Sequence, residues 1–303
     1  MSVHNSAHDL EATLASVLSQ SDSDLELIAV DDGSSDGSGE ILDDVAASDS
    51  RLRVVHQENR GLTLSLICAC ELARGVFIAR QDAGGDLSLP RRFEHLIRLC
   101  RDDPETTLAS SGVRYIGPEG EALFDEVPNS RDQTEKLLAL DVHSLRGPAH
   151  HGAALFPSEA YRDVGGYRPQ FAVAQDLDLW VRLAETGRHL AEPEILYRAT
   201  VTVDSISSLY RPLQRRMTRL IVDCARRRRA GLGEERLLQR AQALRPLPRK
   251  GMSRRLGRSR ALYFIGSCLR RSSPDTARKY FHRALKEFPL HAKSWWRLIA
   301  GLS

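Results

Sequence analysis

Short apolar segments alternate with amphipathic ones through the first third of the chain, and this alternation constrains the fold more than any other feature. Residues 25–30, 53–56, 76–79 and 107–113 have the length and apolar character of strands. Between them, residues 39–47, 61–74 and 88–101 carry apolar side chains at helical spacing, with Ser88 as the expected cap of the last helix. Alternating strands and helices predict an α/β domain with a mostly parallel sheet and helices on both faces.

Two acidic clusters follow strands of this predicted sheet. Asp31 and Asp32 end the segment 25–30, and Asp82 and Asp86 follow the segment 76–79. Ligands of such sheets bind beyond the carboxyl ends of the strands. A carboxylate there can accept hydrogen bonds from a nucleobase or a ribose, and the alternative is an Asp-rich turn. The sequence therefore favours a ligand site at this edge.

The beginning of the chain does not fit the expected pattern. A domain of this type normally begins with a strand, but residues 1–5 read as a loop that leads into a helix over residues 9–20. We expect the first strand to be missing, through a start site assigned too late or a truncation. Loss of a central strand would destabilise the domain.

The composition indicates a protein of a reducing compartment. A chain of 303 residues has room for one large α/β domain and a smaller appendage. No apolar run approaches the ~20 residues that span a bilayer, and no signal peptide is visible. The five cysteines lack the spacing of a zinc site. We expect a cytoplasmic protein, with peripheral association at the inner face of the membrane as an addition.

Charge divides the chain into two parts. Residues 1–204 hold 18 Lys and Arg against 35 Asp and Glu, whereas residues 205–303 hold 25 against five. We predict a first domain over residues 1–208 and a basic helical region over residues 209–303. That region includes four consecutive arginines, residues 226–229, and a helix pair that resembles half of a tetratricopeptide repeat. The basic region would dock on the acidic domain, bind an anionic membrane or bind nucleic acid, but no recognition motif supports nucleic acid.

A third acidic position lies in the sequence AQDLDLW. Asp176 follows a Gly-rich loop, residues 161–169, and begins an amphipathic helix. One interpretation is that Asp176 caps this helix. The other is that it acts as a base toward a bound hydroxyl group.

Six segments occur in a fixed order along the chain: VDDGSSDGS, ARQDAGGD, HHGAALF, YRDVGGYRP, AQDLDLW and LYRATVTVDSIS. With these motifs, residues 2–208 resemble a family 2 glycosyltransferase, which has the nucleotide-sugar-dependent GT-A fold. The resemblance implies inverting transfer of a hexose or related sugar from a nucleotide-sugar to a hydroxyl of a glycan or lipid-linked acceptor. It further implies a role in the synthesis of a bacterial cell-surface polysaccharide.

The resemblance also implies roles for individual residues. Asp176 would be the catalytic base. Asp82 begins the metal-binding Asp-x-Asp element, and a divalent cation, Mg²⁺ or Mn²⁺, would offset the charge of the leaving nucleoside diphosphate. The implied donor-binding residues are His4, Asn5, Asp31, Asp32, Arg60, Gly61, Arg80 and Asp82. The implied acceptor or sugar side comprises His151, Gly166, Tyr167 and Trp180, although His151 and Trp180 are also typical core residues. Tyr197, Arg198, Ser205 and Ser207 match a segment that closes over the diphosphate.

Three departures from the family pattern leave a second hypothesis open. Gly84 replaces the second acid of the metal-binding element, and Asp86 follows two residues later as the alternative ligand. Gln175 replaces the first acid of the pair at Asp176, and Ile67 stands where an Asn is common. The chain would then be a degenerate relative that binds nucleotide-sugars or acts as a scaffold. A nucleotidyltransferase is a third reading, but the Gly-rich N-terminal loop of such enzymes is absent.

Overall fold

The computed structural model describes residues 1–204, 206–246 and 250–299, apart from the side chains of residues 206–208. The chain forms two compact units. Unit 1 comprises Met1–Val113, Glu126–Ala199 and Arg216–Arg245. Unit 2 comprises Arg114–Asp125, Thr200–Arg215 and Pro246–Ser303. The boundary that the sequence predicts between residues 208 and 209 stays a prediction.

Strands and helices alternate through the first third of the chain, as expected. The strands are β1 (Ser2–Val3), β2 (Leu27–Asp32), β3 (Leu52–Gln57), β4 (Phe77–Ala79), β5 (Leu87–Ser88), β6 (Thr106–Ile116), β7 (Ala122–Glu126), β8 (Ala154–Pro157) and β9 (Arg188–Thr200). The first helices are α1 (Ala7–Leu18), α2 (Ser38–Ser48), α3 (Leu62–Leu72), α4 (Arg92–Asp102), α5 (Thr134–Leu138), α6 (Ser158–Asp163) and α7 (Gln175–Thr186). The later helices are α8 (Ile206–Arg229), α9 (Glu235–Ala243), α10 (Gly251–Leu269), α11 (Pro274–Glu287) and α12 (Ala292–Ile299).

The first sheet is parallel, with the strand order β1-β2-β3. The prediction that the first strand is missing is corrected here, because Ser2 and Val3 pair with Val30 and Asp31 of β2. The amino group of Met1 also donates a hydrogen bond of 2.7 Å to the Ile28 carbonyl. Two residues are too short for an apolar run that can be recognised in the sequence.

The second sheet has the order β4-β8-β6-β9-β5, and β7 pairs with β6. The pairs β4–β8, β6–β8 and β5–β9 are antiparallel. The α/β fold class is therefore confirmed, and the antiparallel pairs are an addition to it. Ser88 does not cap a helix, since it lies in β5, and α4 begins four residues later at Arg92.

The core of the first sheet follows directly from the helical spacing of α1. Leu10, Leu14 and Val17 are three to four residues apart and share one face of the helix. All three are buried in one cluster with Val3 and Leu42. Every residue of β2 is buried, so the polar ends of this strand, Asp31 and Asp32, are fixed by the packing around them.

The four arginines at residues 226–229 bind other parts of unit 1. Arg228 and Arg229 donate hydrogen bonds of 2.6 and 3.1 Å from Nε to the carboxylate of Glu185. Arg226 donates one of 3.2 Å to the Leu140 carbonyl. Docking on the acidic α/β part is thus the interpretation that the structure supports for these arginines.

Unit 2 is built around the helix pair α10 and α11. Ile265 and Leu269 of α10 pack with Tyr280 and Phe281 of α11 in one buried cluster. Gly266 allows this close approach, because a Cβ atom at that position would lie 2.8 Å from the Phe281 ring. In the part of the chain that the structure describes, no helix is both long and apolar enough to cross a membrane.

Candidate functional site

The first acidic cluster is closed by hydrogen bonds within the protein. The carboxylate of Asp32 accepts hydrogen bonds of 2.8 Å from the backbone N–H groups of Arg60 and Gly61, and one of 2.7 Å from the side chain of Gln57. Only 2% of Asp32 is exposed. Its two oxygens have about four acceptor positions, and three are used. Asp32 therefore holds the loop before α3 in place.

Asp31 is held in the same way. Its Oδ1 accepts a hydrogen bond of 3.0 Å from the Ser34 N–H, and its Oδ2 lies 3.1 Å from Nδ1 of His56. Burial acts to raise the pKa of Asp31, but Ser34 and His56 lower it overall. Asp43 first, and then Asp31, raise the pKa of His56 above its usual value. The result is a hydrogen-bonded chain of two carboxylates and an imidazole.

The loops around this cluster hold the other residues implied for the donor. His4 Nδ1 lies 3.0 Å from the Asp32 carbonyl oxygen, and Asn5 accepts a hydrogen bond of 2.8 Å from the Ser35 N–H. Asn5 has a left-handed backbone with φ of 51°. Both side chains are exposed. His4, Asn5, Asp32 and the Arg60–Gly61 loop are thus brought together at one edge.

The second acidic cluster is open by comparison. One oxygen of Asp82 and one ring nitrogen from each of His150 and His151 lie within 4.8 Å of one another. Asp82 Oδ2 is 2.5 Å from His151 Nδ1 and 3.8 Å from His150 Nδ1. Neither Asp82 Oδ2 nor His151 Nδ1 has a hydrogen-bond partner of acceptable geometry, although both atoms are buried. Buried polar atoms without partners are unfavourable, so this pair is suited to a bound cation.

Charges in this cluster are strongly coupled. The Arg80 guanidinium lies 2.7 Å from Asp82 Oδ1 and is only 4% exposed. Burial acts to raise the pKa of Asp82, but His151 and Arg80 hold it well below its usual range. Burial alone would lower the pKa of His151, yet Asp82 and then Asp176 raise it to about 9. Burial and the neighbouring His151 lower the pKa of His150 to about 3.

A tight turn positions the two histidines. His151 begins a 3₁₀ helix, His151–Ala153, directly before β8. Gly152 is required there, because a Cβ atom would lie 2.0 Å from the Tyr197 hydroxyl oxygen. That hydroxyl donates a hydrogen bond of 3.0 Å to Asp86. Tyr197 therefore connects this turn with the loop that carries the acids.

Asp86 lies beside the cluster rather than within its three ligand atoms. Its Oδ2 is 3.6 Å from His150 Nδ1, and only 4% of the residue is exposed. The loop between Asp82 and Asp86 turns through Gly84 and Gly85, with φ of 92° and 90°. Glycine adopts this left-handed backbone without strain. Whether Asp86 reaches a bound metal stays a prediction.

The residues present fit a divalent cation. One carboxylate oxygen and two imidazole nitrogens are a donor set that suits Mn²⁺ and other first-row transition metals, whereas Mg²⁺ prefers oxygen ligands alone. Asp82 Oδ2 and His151 Nδ1 lie 2.5 Å apart, and neither atom has a hydrogen bond of acceptable geometry. His150 and His151 are therefore candidate metal ligands where the family pattern has a second acid at the position of Gly84.

Asp176 lies in the first turn of α7. The helix begins after Ala174, which has a left-handed φ of 60° and no side-chain cap. Asp176 is therefore not the N-cap residue, although its Oδ1 accepts a hydrogen bond of 2.9 Å from the Leu177 N–H. Its charge contributes to the raised pKa values of His151 and Tyr167, after the larger effects of burial and closer groups. Asp176 is thus close enough to act electrostatically on His151 of the candidate metal cluster.

The residues implied for the acceptor side are mostly buried. Tyr167 is 4% exposed and follows Gly166, whose φ is 63°. Trp180 is 5% exposed and packs so closely on residue 147 that only glycine fits there. Ser205 lies outside the described residues, and the side chain of Ser207 is not described. These roles stay predictions.

Sequence reasoning missed two features of the site. It placed His151 on the sugar side and gave His150 no part in metal binding, although two adjacent histidines before a strand are a visible signal. It also missed Arg92, which is fully buried and donates hydrogen bonds to Ser88 and to the carbonyls of Arg80 and Ala154. The sequence gives no sign that a single arginine on an amphipathic helix will be buried and will bind two backbone carbonyls.

The fold and the site define a class of enzyme, and comparison with known proteins identifies the family. Residues 1–164 match the family model described as Glycosyl transferase family 2. The putative glycosyltransferase EpsE of Bacillus subtilis (strain 168) is 31% identical over 213 residues, which are 68% of this chain and 73% of the relative. The chain therefore belongs to glycosyltransferase family 2.

Two more distant similarities agree with this family. Chondroitin synthase of Pasteurella multocida (strain Pm70) is 24% identical over 204 residues, 67% of this chain, and the match spans only 20% of that relative. The mannosyltransferase PcManGT of Pyrobaculum calidifontis, solved with GDP-Man and Mn²⁺, is 17% identical, with a TM-score of 0.55. That alignment covers 99% of this chain and 82% of the other, and it shows that the two share the GT-A fold.

Proposed function

We propose that this protein is an inverting glycosyltransferase. It transfers a hexose or related sugar from a nucleotide-sugar to a hydroxyl of a glycan or lipid-linked acceptor. The observation that carries the proposal is the cluster of Asp82, His150 and His151, with two unpartnered buried atoms and Asp176 within electrostatic reach. Membership of glycosyltransferase family 2 supports sugar transfer as the chemistry of this cluster.

The two acidic clusters have separate roles in this proposal. The edge formed by His4, Asn5, Asp31, Asp32 and the Arg60–Gly61 loop binds the nucleoside. Asp82 with His150 and His151 holds a divalent cation at the diphosphate, and Asp86 is the alternative ligand. A cation bound there would neutralise the charge that develops on the leaving nucleoside diphosphate. Arg80 donates a hydrogen bond of 2.7 Å to Asp82 Oδ1, so it positions that carboxylate.

Asp176 is the proposed catalytic base. It removes the proton of the acceptor hydroxyl as the oxygen attacks the anomeric carbon, and the nucleoside diphosphate leaves from the opposite face. A single carboxylate is sufficient for this in-line displacement with inversion. The acidic neighbour that Gln175 replaces is therefore not required for the step.

The acceptor proposed here belongs to a cell-surface polysaccharide. The similarity to a chondroitin synthase supports this class, although the chain spans only a fifth of that relative. Gly166 and Tyr167, in the loop before α7, are the residues proposed for the acceptor side, with His151 toward the sugar. Peripheral association with an anionic membrane would bring the enzyme to a lipid-linked acceptor.

The substitution Asp176→Asn tests the base. A thermal-shift screen of nucleotide-sugars identifies the donor first, and transfer is then measured with acceptor extracts. The variant should lose at least about a hundredfold in turnover, as expected for a general base, and keep the nucleotide affinity. Asp163→Asn is the matched control, since Asp163 is an exposed carboxylate at the end of α6, the helix before α7. Full turnover in Asp176→Asn would exclude this residue as the base.

A second candidate is a degenerate relative that binds nucleotide-sugars without transfer. Gly84 and the position of Asp86 beside the ligand cluster favour it. Donor hydrolysis measured with and without Mn²⁺ separates the two. Nucleoside diphosphate binding with no donor turnover under any metal would support the second candidate.

A further inference from the structure

Helix α12 of unit 2 exposes an unusual apolar surface. Trp295 is 50% exposed, Trp296 58% and Ile299 80%, and Leu290 just before the helix is 81% exposed. We call Trp295, Trp296 and Ile299 the α12 face. Exposed apolar groups of this size that cluster together mark interaction sites with proteins or membranes.

Helical geometry places these three side chains opposite the packed side of α12. Ser294 is buried, and Leu298 packs against the core of unit 2. At 100° per residue, Trp295, Trp296 and Ile299 fall between about 100° and 200° from Ser294. The three large apolar side chains of α12 therefore face outward. The narrower side with Ser294 and Leu298 packs on the rest of unit 2.

Cations flank the α12 face. Lys293 is exposed, and the Arg297 guanidinium lies 4.6 Å from the centre of the Trp296 ring. Arg260 of α10 is also exposed, and its charge and that of Lys293 act, after burial, to lower the pKa of His291. Arg260 and Lys293 are thus both near His291.

The whole of unit 2 is strongly basic. Its segments contain 17 Lys and Arg residues against six Asp and Glu residues. Some of these cations form ion pairs within unit 2. Arg258, for example, pairs with Asp204 and Glu287. The excess that remains favours an anionic surface, and Lys293 and Arg297 of α12 carry part of it beside the apolar face.

We propose that the α12 face inserts into the interfacial region of an anionic membrane. Trp rings are amphipathic and lie preferentially at the level of the lipid headgroups, and neighbouring Lys and Arg side chains bind lipid phosphates. The arginines at residues 226–229 take no part, because Glu185 and backbone carbonyls of unit 1 already bind three of them. The proposal does not depend on the sugar-transfer activity.

Vesicle binding of the full chain tests the proposal. The probes are phosphatidylcholine vesicles with about 30 mol% phosphatidylglycerol, and the same vesicles without it. Co-sedimentation gives the bound fraction, and the fluorescence of Trp295 and Trp296 should shift to the blue on binding because both rings leave water. We expect binding to the anionic vesicles that weakens as salt is raised.

Three double substitutions distinguish binding by the α12 face from nonspecific hydrophobic binding. Trp295→Ser with Trp296→Ser should weaken vesicle binding by about tenfold or more, since most of the inserted apolar area is removed. Trp295→Tyr with Trp296→Tyr should restore most of it, because Tyr keeps an amphipathic ring. Val76→Ser with Leu232→Ser is the matched control, since these exposed apolar residues lie in unit 1, and binding should not change.

Three results would overturn the proposal. One is the absence of anionic-vesicle binding by the unmodified chain. The second is an equal loss in the Trp and control pairs. The third is self-association without lipid, seen by light scattering and abolished by the Trp pair, which would assign the α12 face to a second copy of the chain. Unchanged circular dichroism and nucleotide binding show that each variant is folded.

Discussion

The two acidic clusters look alike in sequence and differ in structure. Asp31 and Asp32 bind backbone N–H groups and side chains of their own domain. Asp82 instead presents a buried oxygen without a hydrogen-bond partner to an equally unpartnered nitrogen of His151. The hydrogen bonds of Asp31 and Asp32 hold their loops in place, whereas Asp82 Oδ2 contacts an imidazole without a hydrogen bond of acceptable geometry. Both follow a strand, so the difference arises from what each loop brings to its acid.

The largest expected effect is that of Asp82→Asn. Loss of the only carboxylate among the three ligand residues should abolish Mn²⁺ binding and lower turnover by about a thousandfold, or about 4 kcal/mol. Mn²⁺ binding is measured by electron paramagnetic resonance, and turnover by nucleotide release. Asp44→Asn, which changes an exposed carboxylate of α2, is the matched control and should keep Mn²⁺ binding. An equal loss in that control would show that the effect is not specific to Asp82.

Asp32→Asn should act on stability. Its amide can still accept the hydrogen bonds of Arg60 and Gln57, but its NH₂ group would face the N–H of Gly61. Two opposed donors in a site that is 2% exposed should lower the free energy of unfolding by about 1–3 kcal/mol. Denaturant unfolding measures the change. Unaltered stability would show that the loop does not depend on this carboxylate.

The next prediction, a difference in affinity between Mn²⁺ and Mg²⁺, involves a smaller effect. With two imidazoles among the ligands, Mn²⁺ should bind about tenfold or more tightly than Mg²⁺ in the presence of a nucleoside diphosphate. Isothermal titration calorimetry measures both affinities. His151→Asn should reduce this preference, while His189→Asn, which changes a buried histidine outside the cluster, serves as the control for lost packing. Equal affinities in the unmodified protein would argue against imidazole ligands.

The smallest effect concerns His56 in the closed cluster. Asp43 and Asp31 raise its pKa above the usual 6.5. The stabilisation is therefore fully present below pH 6.5, and it is lost as the pH rises through the higher pKa of the folded state. His56 is 48% exposed, so solvent screening should limit the effect to less than about 1 kcal/mol. The free energy of unfolding is measured for His56→Gln and for the unmodified protein from below pH 6.5 upward. If the difference between the two proteins does not change with pH, the raised pKa of His56 is contradicted.

Periodicity made the strands and helices of the first third predictable. Strongly apolar strands such as β2 stand out because both of their faces are buried. β1 was not predicted because a strand of two residues is too short to show an apolar pattern. It forms because it pairs with β2. Ser88 was misplaced because a serine before a Pro-containing segment reads as a helix cap, whereas here it pairs with β9.

The sequence by itself determined the α/β class, the order of the motifs and the positions of the acids at strand ends, because these depend on local spacing and on the rules of parallel sheets. Only the tertiary structure decided which acid is satisfied and which is open. It brought His150 and His151, nearly 70 residues further along the chain, to Asp82. Hydrogen-bond satisfaction is a property of the space around a group, and distant segments of the chain fill that space.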